Sequence, residues 1–124
     1  MIINKKEYKN VLLVFALESE AGKAFDDYNT LFVGIGKVSA SYHLTKAILA
    51  HKPDLIINLG TAGSTKFDRG SVVNCSQFIQ RDMDVRALGF QKFETPFSDD
   101  PVVLDYGVSI EHLPKGVCGS GDQF

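Results

Sequence analysis

An α/β fold with a central, largely parallel sheet is predicted by three features of the sequence. Val11-Leu12-Leu13-Val14-Phe15-Ala16 is a continuous apolar run rich in β-formers, the composition of a strand buried on both faces, as in parallel sheets. Two shorter apolar runs, Leu31-Phe32-Val33 and Leu55 to Leu59, follow it. Between them, Lys37 to Lys52 carries Val38, Tyr42, Thr45 and Leu49 at three- and four-residue steps, widened by Leu44, Ala47 and Ile48, which reads as an amphipathic helix. Strand, helix, strand, helix, strand implies right-handed crossovers and parallel neighbours.

The elements follow in order. After the first strand, Glu18 to Phe25 has helical composition, and Asp26-Asp27-Tyr28-Asn29 is a turn cluster. The second strand ends in Gly34-Ile35-Gly36. The long helix closes with basic residues in its last turn, and Pro53 stops it. The third strand runs into Gly60-Thr61-Ala62-Gly63, and Ser64 to Gly70 is a polar loop. A fourth strand is expected over 71–77, in the same sheet as those at 11–16, 31–33 and 55–59. Residues 81–101, with Gly89, Pro96 and Pro101, read as a long functional or interface loop. Val102-Val103-Leu104 is a further short strand. With no linker or repeat, residues 1–124 read as a single domain.

Composition bounds the function. The 124 residues are 44% hydrophobic and 23% charged, with a net charge of −2, as in ordinary globular domains. Acids and bases are interspersed, so no basic stripe offers itself to nucleic acid or an anionic membrane. The longest apolar run is too short to span a bilayer, and the N-terminus lacks the apolar core of a signal peptide. Cys75 and Cys118 form no CxxC and have no histidine at zinc spacing; they read as small core residues of a reduced, cytoplasmic protein. No metal or cofactor is expected. His43, His51 and His112 are scattered along the chain.

Several stretches have two readings on the residues alone. Gly34-Ile35-Gly36-Lys37-Val38-Ser39 nearly matches the dinucleotide fingerprint, but Ser39 occupies the third glycine position and the motif follows the second strand. A tight strand-to-helix turn explains it as well. Glu18 and Glu20 follow the first strand, at the end of the sheet where ligands bind in open α/β folds; a first helical turn stabilised by the helix dipole accounts equally for their charge. Asp82 and Asp84 have no third metal ligand. Thr61, between Gly60 and Gly63, is either part of a turn or a hydroxyl on a ligand-binding floor.

Taken together, "FALESE" (15–20), "VGIGKVSA" (33–40) and "PDLIINLGTAGS" (53–64) resemble the 5′-methylthioadenosine/S-adenosylhomocysteine nucleosidases of the purine nucleoside phosphorylase superfamily. "RGSVV" (69–73), "DMDVRALGF" (82–90) and "SGDQF" (120–124) are similar to later motifs of that family. The resemblance implies a three-layer phosphorylase/nucleosidase-like fold with a largely parallel or mixed central sheet. It implies a homodimer that needs no cofactor and acts on a small nucleoside in methionine salvage. Glu20 matches the acid that activates the attacking water. Leu17 matches the apolar residue beside the ribose, and Thr61, with Ala62 and Gly63, matches the ribose side of the pocket. Ile35 matches the lining of the 5′-substituent pocket, Val85 and Leu88 match residues that reach into the partner's site, and Phe124 matches the aromatic on the purine.

Two departures shape the functional expectation. The stretch between Glu20 and Gly34 is shorter than in the family. The family's later ME and SD motifs, an acid for the ribose hydroxyls and an aspartate that protonates the purine, are absent. The chain is therefore expected to be truncated at its C-terminal side relative to the family, or to be part of a longer protein. The family's phosphorylases carry a Gly-Asp-Pro…Arg phosphate loop where Ala16-Leu17-Glu18-Ser19-Glu20 stands here. A carboxylate repels phosphate and deprotonates water, so the expectation is hydrolysis of an adenine nucleoside, with a phosphorylase, a catalytically incomplete binding module or a dinucleotide-binding domain as the alternatives.

Overall fold

The computed structural model describes residues 1–123. The chain divides into two compact units, residues 1–66 and 67–124.

The first unit is built on β3 (Val11–Phe15), which pairs in parallel with β4 (Thr30–Phe32) on one side and β5 (Leu55–Asn58) on the other, in the order β4-β3-β5. Alternation along β3 sends its side chains to opposite faces. Leu12 and Val14 pack with Val33, Leu31 and Ile56 under Ala40, Leu44 and Ala47 of helix α2 (Lys37–His51). Leu13 and Phe15 pack with Ile57 and Leu59 under Ala21 and Phe25. The expectation of a doubly buried strand thus holds, and Leu12 to Phe15 are all buried.

Helix α2 keeps part of the predicted stripe, since Leu44 and Ala47 face the sheet, and corrects the rest. Val38, Tyr42 and Leu49 are exposed, and Val38 keeps 82% of its surface. The rotation of the helix is fixed at its start, where Ser39 Oγ donates to the Val33 carbonyl at 2.6 Å. The face that packs on the sheet is that of Ala40, Leu44 and Ala47. The helix expected over Glu18 to Phe25 is a single turn, α1 (Glu18–Ala21). Gly22, at φ 55° and ψ −142°, ends it, and the chain then lays Phe25 on Phe15 with ring centroids 5.1 Å apart.

The entrance to β3 is held by side chains the sequence reading passed over. The Asp54 carboxylate accepts the N–H groups of Lys9 and Asn10 at 2.8 and 2.9 Å. Asn10 Nδ2 in turn donates to the carbonyls of His51 and Lys52 at the end of α2. The Lys9 N–H, then that of Asn10, hold the Asp54 carboxyl below its ordinary range. Ahead of this lies a hairpin the sequence did not announce, β1 (Ile2–Ile3) with β2 (Lys6–Glu7), turned by Asn4 and Lys5 at positive φ. Met1 and Tyr8 close it by exchanging two main-chain hydrogen bonds.

In the second unit, β6 (Asn74–Gln80) pairs antiparallel with β7 (Leu104–Asp105) and parallel with β8 (Lys115–Ser120). The strand expected over 71–77 therefore begins later, where the Asn74 N–H meets the Pro114 carbonyl at 2.9 Å, and it pairs within this second sheet, not with β3–β5. The expected strand at 102–104 is displaced to 104–105, and β8 was not foreseen. Gly116 lets β8 lie close to the strand's flank: a Cβ there would come within 2.9 Å of Val73 and 3.3 Å of Phe67. Phe78 stacks on Tyr106 at 4.5 Å. Cys75 and Cys118 are half-buried on neighbouring strands, Cys75 opposite Gly116 and Cys118 opposite Phe78. Both cysteines are free thiols. Burial raises the Cys75 thiol above its ordinary pKa, and the adjacent Cys118 adds to the effect.

Phe15 is 2% exposed and Phe97 is 98% exposed. Phe15→Ala is expected to lower stability by about 3–5 kcal/mol, whereas Phe97→Ser is expected to change it by less than about 0.5 kcal/mol. Urea unfolding followed by circular dichroism measures both.

Candidate active site

The register of the first sheet brings two stretches of sequence together. Val14 on β3 lies opposite Asn58 on β5, so the two strands end side by side and their following loops leave from the same edge. The β3 loop turns at once into α1 and carries Glu20. The β5 loop carries Gly60 and Thr61. Glu20 Oε1 accepts the Thr61 N–H at 3.1 Å and the Thr61 hydroxyl at 3.0 Å. Glu20 Oε2 reaches back to the Leu17 N–H at 3.1 Å, the carboxylate half of a capping box. Gly60 leaves the carboxylate ordinary room, since a Cβ there would sit 3.5 Å from Oε1.

This arrangement separates the two acids that spacing alone left equivalent. Glu18 is exposed on α1 and takes no part in it. Glu20 is fixed at both oxygens by donors. The Thr61 N–H chiefly, then the Leu17 N–H and the Thr61 hydroxyl, hold its carboxyl below the ordinary 4.5, outweighing the opposite effect of burial. A carboxylate so placed is ionised at neutral pH and fixed in direction. Thr61 gives its hydroxyl proton to Glu20, which leaves the Thr61 oxygen free to accept from a ligand hydroxyl.

The third loop at this edge follows β4. The Val33 N–H donates to the Phe15 carbonyl, and the Gly34 N–H to that of Ala16, at 3.0 Å. Gly34 has φ +78°, and a Cβ on it would come within 2.8 Å of Ser39 Oγ. The glycine and the serine are thus a matched pair, and the tight-turn reading of Gly34-Ile35-Gly36 is the one the geometry bears out. Ser39 is the residue the sequence reading missed here. Its signal was a hydroxyl where a dinucleotide fingerprint has its third glycine.

Leu17, Ile35 and Thr61 accordingly stand on loops, and Glu20 on α1, at the carboxyl ends of the three parallel strands, and Ile35 is 66% exposed. Ala62 and Gly63 are exposed on the β5 loop, and a Cβ on Gly63 would enter open space. Val85 and Leu88 belong to the second unit, flanking and within a 3₁₀ turn at Arg86–Leu88. Phe124 lies outside the described residues. Asp82 and Asp84 are engaged within their own unit: Asp82 accepts the Asp122 N–H at 2.8 Å, and Asp84 pairs with Arg86 at 2.6 Å. Arg81 bonds the Gln123 carbonyl. Among the described residues no three acids, histidines or cysteines gather to hold a metal, and no helix is long and apolar enough to cross a membrane.

Comparison with known proteins bears on what this edge of the sheet is for. The profile of the phosphorylase superfamily matches residues 22–122. The chain belongs to that superfamily. A 5′-methylthioadenosine/S-adenosylhomocysteine nucleosidase of Haemophilus influenzae (strain PittEE) is 33% identical over 103 residues, 73% of this chain and 45% of the relative. One from Exiguobacterium (strain ATCC BAA-1283 / AT1b) is 35% identical over 104 residues, with the same shares. This superfamily member thus spans about half the length of the curated relatives it matches. The solved nucleosidase of Helicobacter pylori with butyl-thio-DADMe-Immucillin-A superposes with a TM-score of 0.79 at 19% identity, over 96% of this chain and 67% of that one. That of Neisseria meningitidis with methylthio-immucillin-A gives 0.74 at 22%, over 92% and 65%. The phosphorylase-superfamily fold expected from the sequence is therefore present.

The Glu20 arrangement makes a pH prediction. A carboxyl with a folded pKa below its unfolded value stabilises the fold above 4.5, and that contribution is lost as pH falls through the lower folded value. A ¹³C NMR titration is expected to place the Glu20 midpoint below 4.5. Thr61→Val, which keeps the N–H and removes the hydroxyl, is expected to raise that midpoint part of the way back.

Proposed function

We propose that this chain carries the water-activating half of a nucleosidase site that cleaves the N-glycosidic bond of adenine nucleosides such as 5′-methylthioadenosine or S-adenosylhomocysteine. The observation that carries the reading is the Glu20–Thr61 pair at the carboxyl ends of β3 and β5. The names of the relatives support the substrate class.

In this mechanism Glu20 directs a water at the anomeric carbon of the ribose and takes its proton as the C–N bond breaks. Three donors make the carboxylate a weaker base than a free one, so its contribution is orientation more than strength. A ribose hydroxyl that donates to the Thr61 oxygen leaves the Thr61 O–H on Glu20, so the sugar is held without releasing the carboxylate. Its negative charge at neutral pH also favours water over phosphate as nucleophile, which selects hydrolysis over phosphorolysis. Leu17 and Ile35 supply apolar surface beside the sugar and its 5′-substituent, with Ala62 and Gly63 on the floor beneath. The ribose-binding acid and the acid that protonates the departing adenine are assigned to the length of the relatives that this chain does not span. In this reading residues 1–124 form part of one larger domain.

The proposed assembly is a homodimer that places Val85 and Leu88 beside the partner's site. Leu88 supports this, being a leucine 74% exposed on a charged loop. A cytoplasmic setting in methionine salvage suits the two unbridged thiols of Cys75 and Cys118.

Adenine release from 5′-methylthioadenosine, measured on the chain joined to the unmatched remainder of the Haemophilus influenzae nucleosidase, tests the reading. Glu20→Gln is expected to lower kcat by about 10²–10⁴ with little change in KM, and Glu18→Gln to do far less. Equal small effects would remove Glu20 from the mechanism. Binding of the nucleoside without release would leave a binding module. For the assembly, sedimentation at micromolar concentration is expected to show a dimer that Leu88→Asp weakens; a monomer unaffected by that change would exclude it.

A further inference from the structure

The second unit holds both cysteines of the chain, and the proposed nucleosidase site uses neither. Cys75 on β6 lies opposite Gly116 on β8. Alternation along β8 puts Cys118, two residues past Gly116, on the same face as Gly116 and Cys75. A second contact fixes that face: a Cβ on Gly116 would meet Val73, two residues before Cys75, at 2.9 Å. Because Gly116 has no side chain, β8 places nothing between the two sulfurs. The Cys75 thiol is hydrogen-bonded to the Cys118 side chain. Both residues are half-buried, so small solutes reach them.

The two thiols are not equivalent. Burial chiefly, then the charge and the hydrogen bond of Cys118, hold Cys75 in its protonated form. Cys75 is therefore the donor of the pair and the Cys118 sulfur the acceptor. Thiolates, not thiols, attack sulfur, so the first attack falls to Cys118. The strand between them also has slack. The register of β6 against β8 shifts between Cys75 and Gln77, and a bulge of this kind lets a strand bend. The second unit has no fully buried apolar side chain among the described residues, so the β6–β8 pairing is what a cross-link there would reinforce.

We propose that Cys75 and Cys118 form a reversible thiol–disulfide exchange site whose reactant is a low-molecular-weight disulfide such as oxidised glutathione. Cys118 releases its proton, and its thiolate attacks one sulfur of the reactant. A mixed disulfide forms, and the expelled thiolate takes up that proton. Cys75 then gives up its own proton and attacks the Cys118 sulfur, and the second expelled thiolate takes up the proton. Two protein thiols are oxidised to one disulfide, and the reactant is reduced to two thiols. The new bond ties β6 to β8 and closes a loop of some forty residues. Lying at a half-exposed position, it is of the labile kind that reduced thiols reopen. The exchange does not depend on the proposed nucleosidase activity.

The test incubates the chain in glutathione buffers of varied oxidised-to-reduced ratio, quenches with acid, and reads intact mass and free thiols. In buffer rich in oxidised glutathione the chain is expected to lose two hydrogen atoms, carry no glutathione and keep no free thiol. In buffer rich in reduced glutathione it is expected to recover both thiols. Cys75→Ser is expected to stop at one glutathione on Cys118, and Cys118→Ser to react at least about tenfold more slowly than Cys75→Ser. In the oxidised chain, main-chain hydrogen exchange along β6 and β8 is expected to slow by about tenfold or more. A parent chain that keeps glutathione without closing, that links to other copies, or that does not react would overturn the proposal. So would equally fast reaction of the two variants, or unchanged exchange in the oxidised chain. A disulfide that reduced glutathione does not reopen would be a structural bond and would equally overturn it.

Discussion

The structure of the first unit depends on β3 being buried on both faces and bonded on both edges. A strand of five residues with no polar side chain cannot be left against water without losing the burial that stabilises it, at about 25 cal/mol per Å² of apolar surface. Helix α2 covers one face and α1 with the Phe25 turn covers the other. Flanking it with parallel β4 and β5 forces crossover connections, and these bring three loops out at the same edge. The candidate site is the consequence. Its residues are distant in sequence and become neighbours because three strands end together.

At that edge a balance is struck between holding a carboxylate and using it. The donors that fix Glu20 also stabilise its charged form, and each one spends some of its basicity. A free glutamate on the surface would be more basic and would point nowhere in particular. Thr61 is the adjustable member of the pair, since its hydroxyl is shared between Glu20 and whatever enters the site. Ser39 does the corresponding work at the β4 turn. It satisfies the Val33 carbonyl and leaves no room for a side chain at Gly34, so the backbone turns tightly and Ile35 is presented outward.

The second unit is held differently. It has no fully buried apolar side chain among the described residues, and it relies on strand pairing and on close approach at glycines. A Cβ on Gly119 or Gly121 would come within 3.2 or 3.1 Å of the side chains of Arg81 and Asp82. Those two residues also bond the main chain at Gln123 and Asp122. Residues 120–123 are thus seated on the end of β6 by Arg81 and Asp82, which in the sequence read as part of a loop. Phe90, which in the sequence looks like a second exposed apolar group beside Leu88, packs edge-on against Phe97 with centroids 5.5 Å apart.

The sequence by itself determined the existence and type of the main elements, because burial on two faces writes a continuous apolar run, and because proline and glycine punctuate it. The strands at β3, β4 and β5, the long helix and the loop beyond residue 81 were legible for that reason, as was the superfamily. It did not determine where the buried face of α2 ends: the stripe read from the sequence joined Leu44 and Ala47, which face the sheet, with Val38, Tyr42 and Leu49, which do not, because a wide apolar stripe does not say which of its edges meets the neighbouring strands. Nor did it determine that 74–80 pairs with 115–120, since pairing between segments some forty residues apart leaves no local pattern, least of all where glycines stand in for side chains. Above all, Glu18 and Glu20 carry the same charge on the same short helix. Only the strand register, which puts Asn58 opposite Val14 and so delivers Thr61 to one of them, decided which carboxylate is held in place.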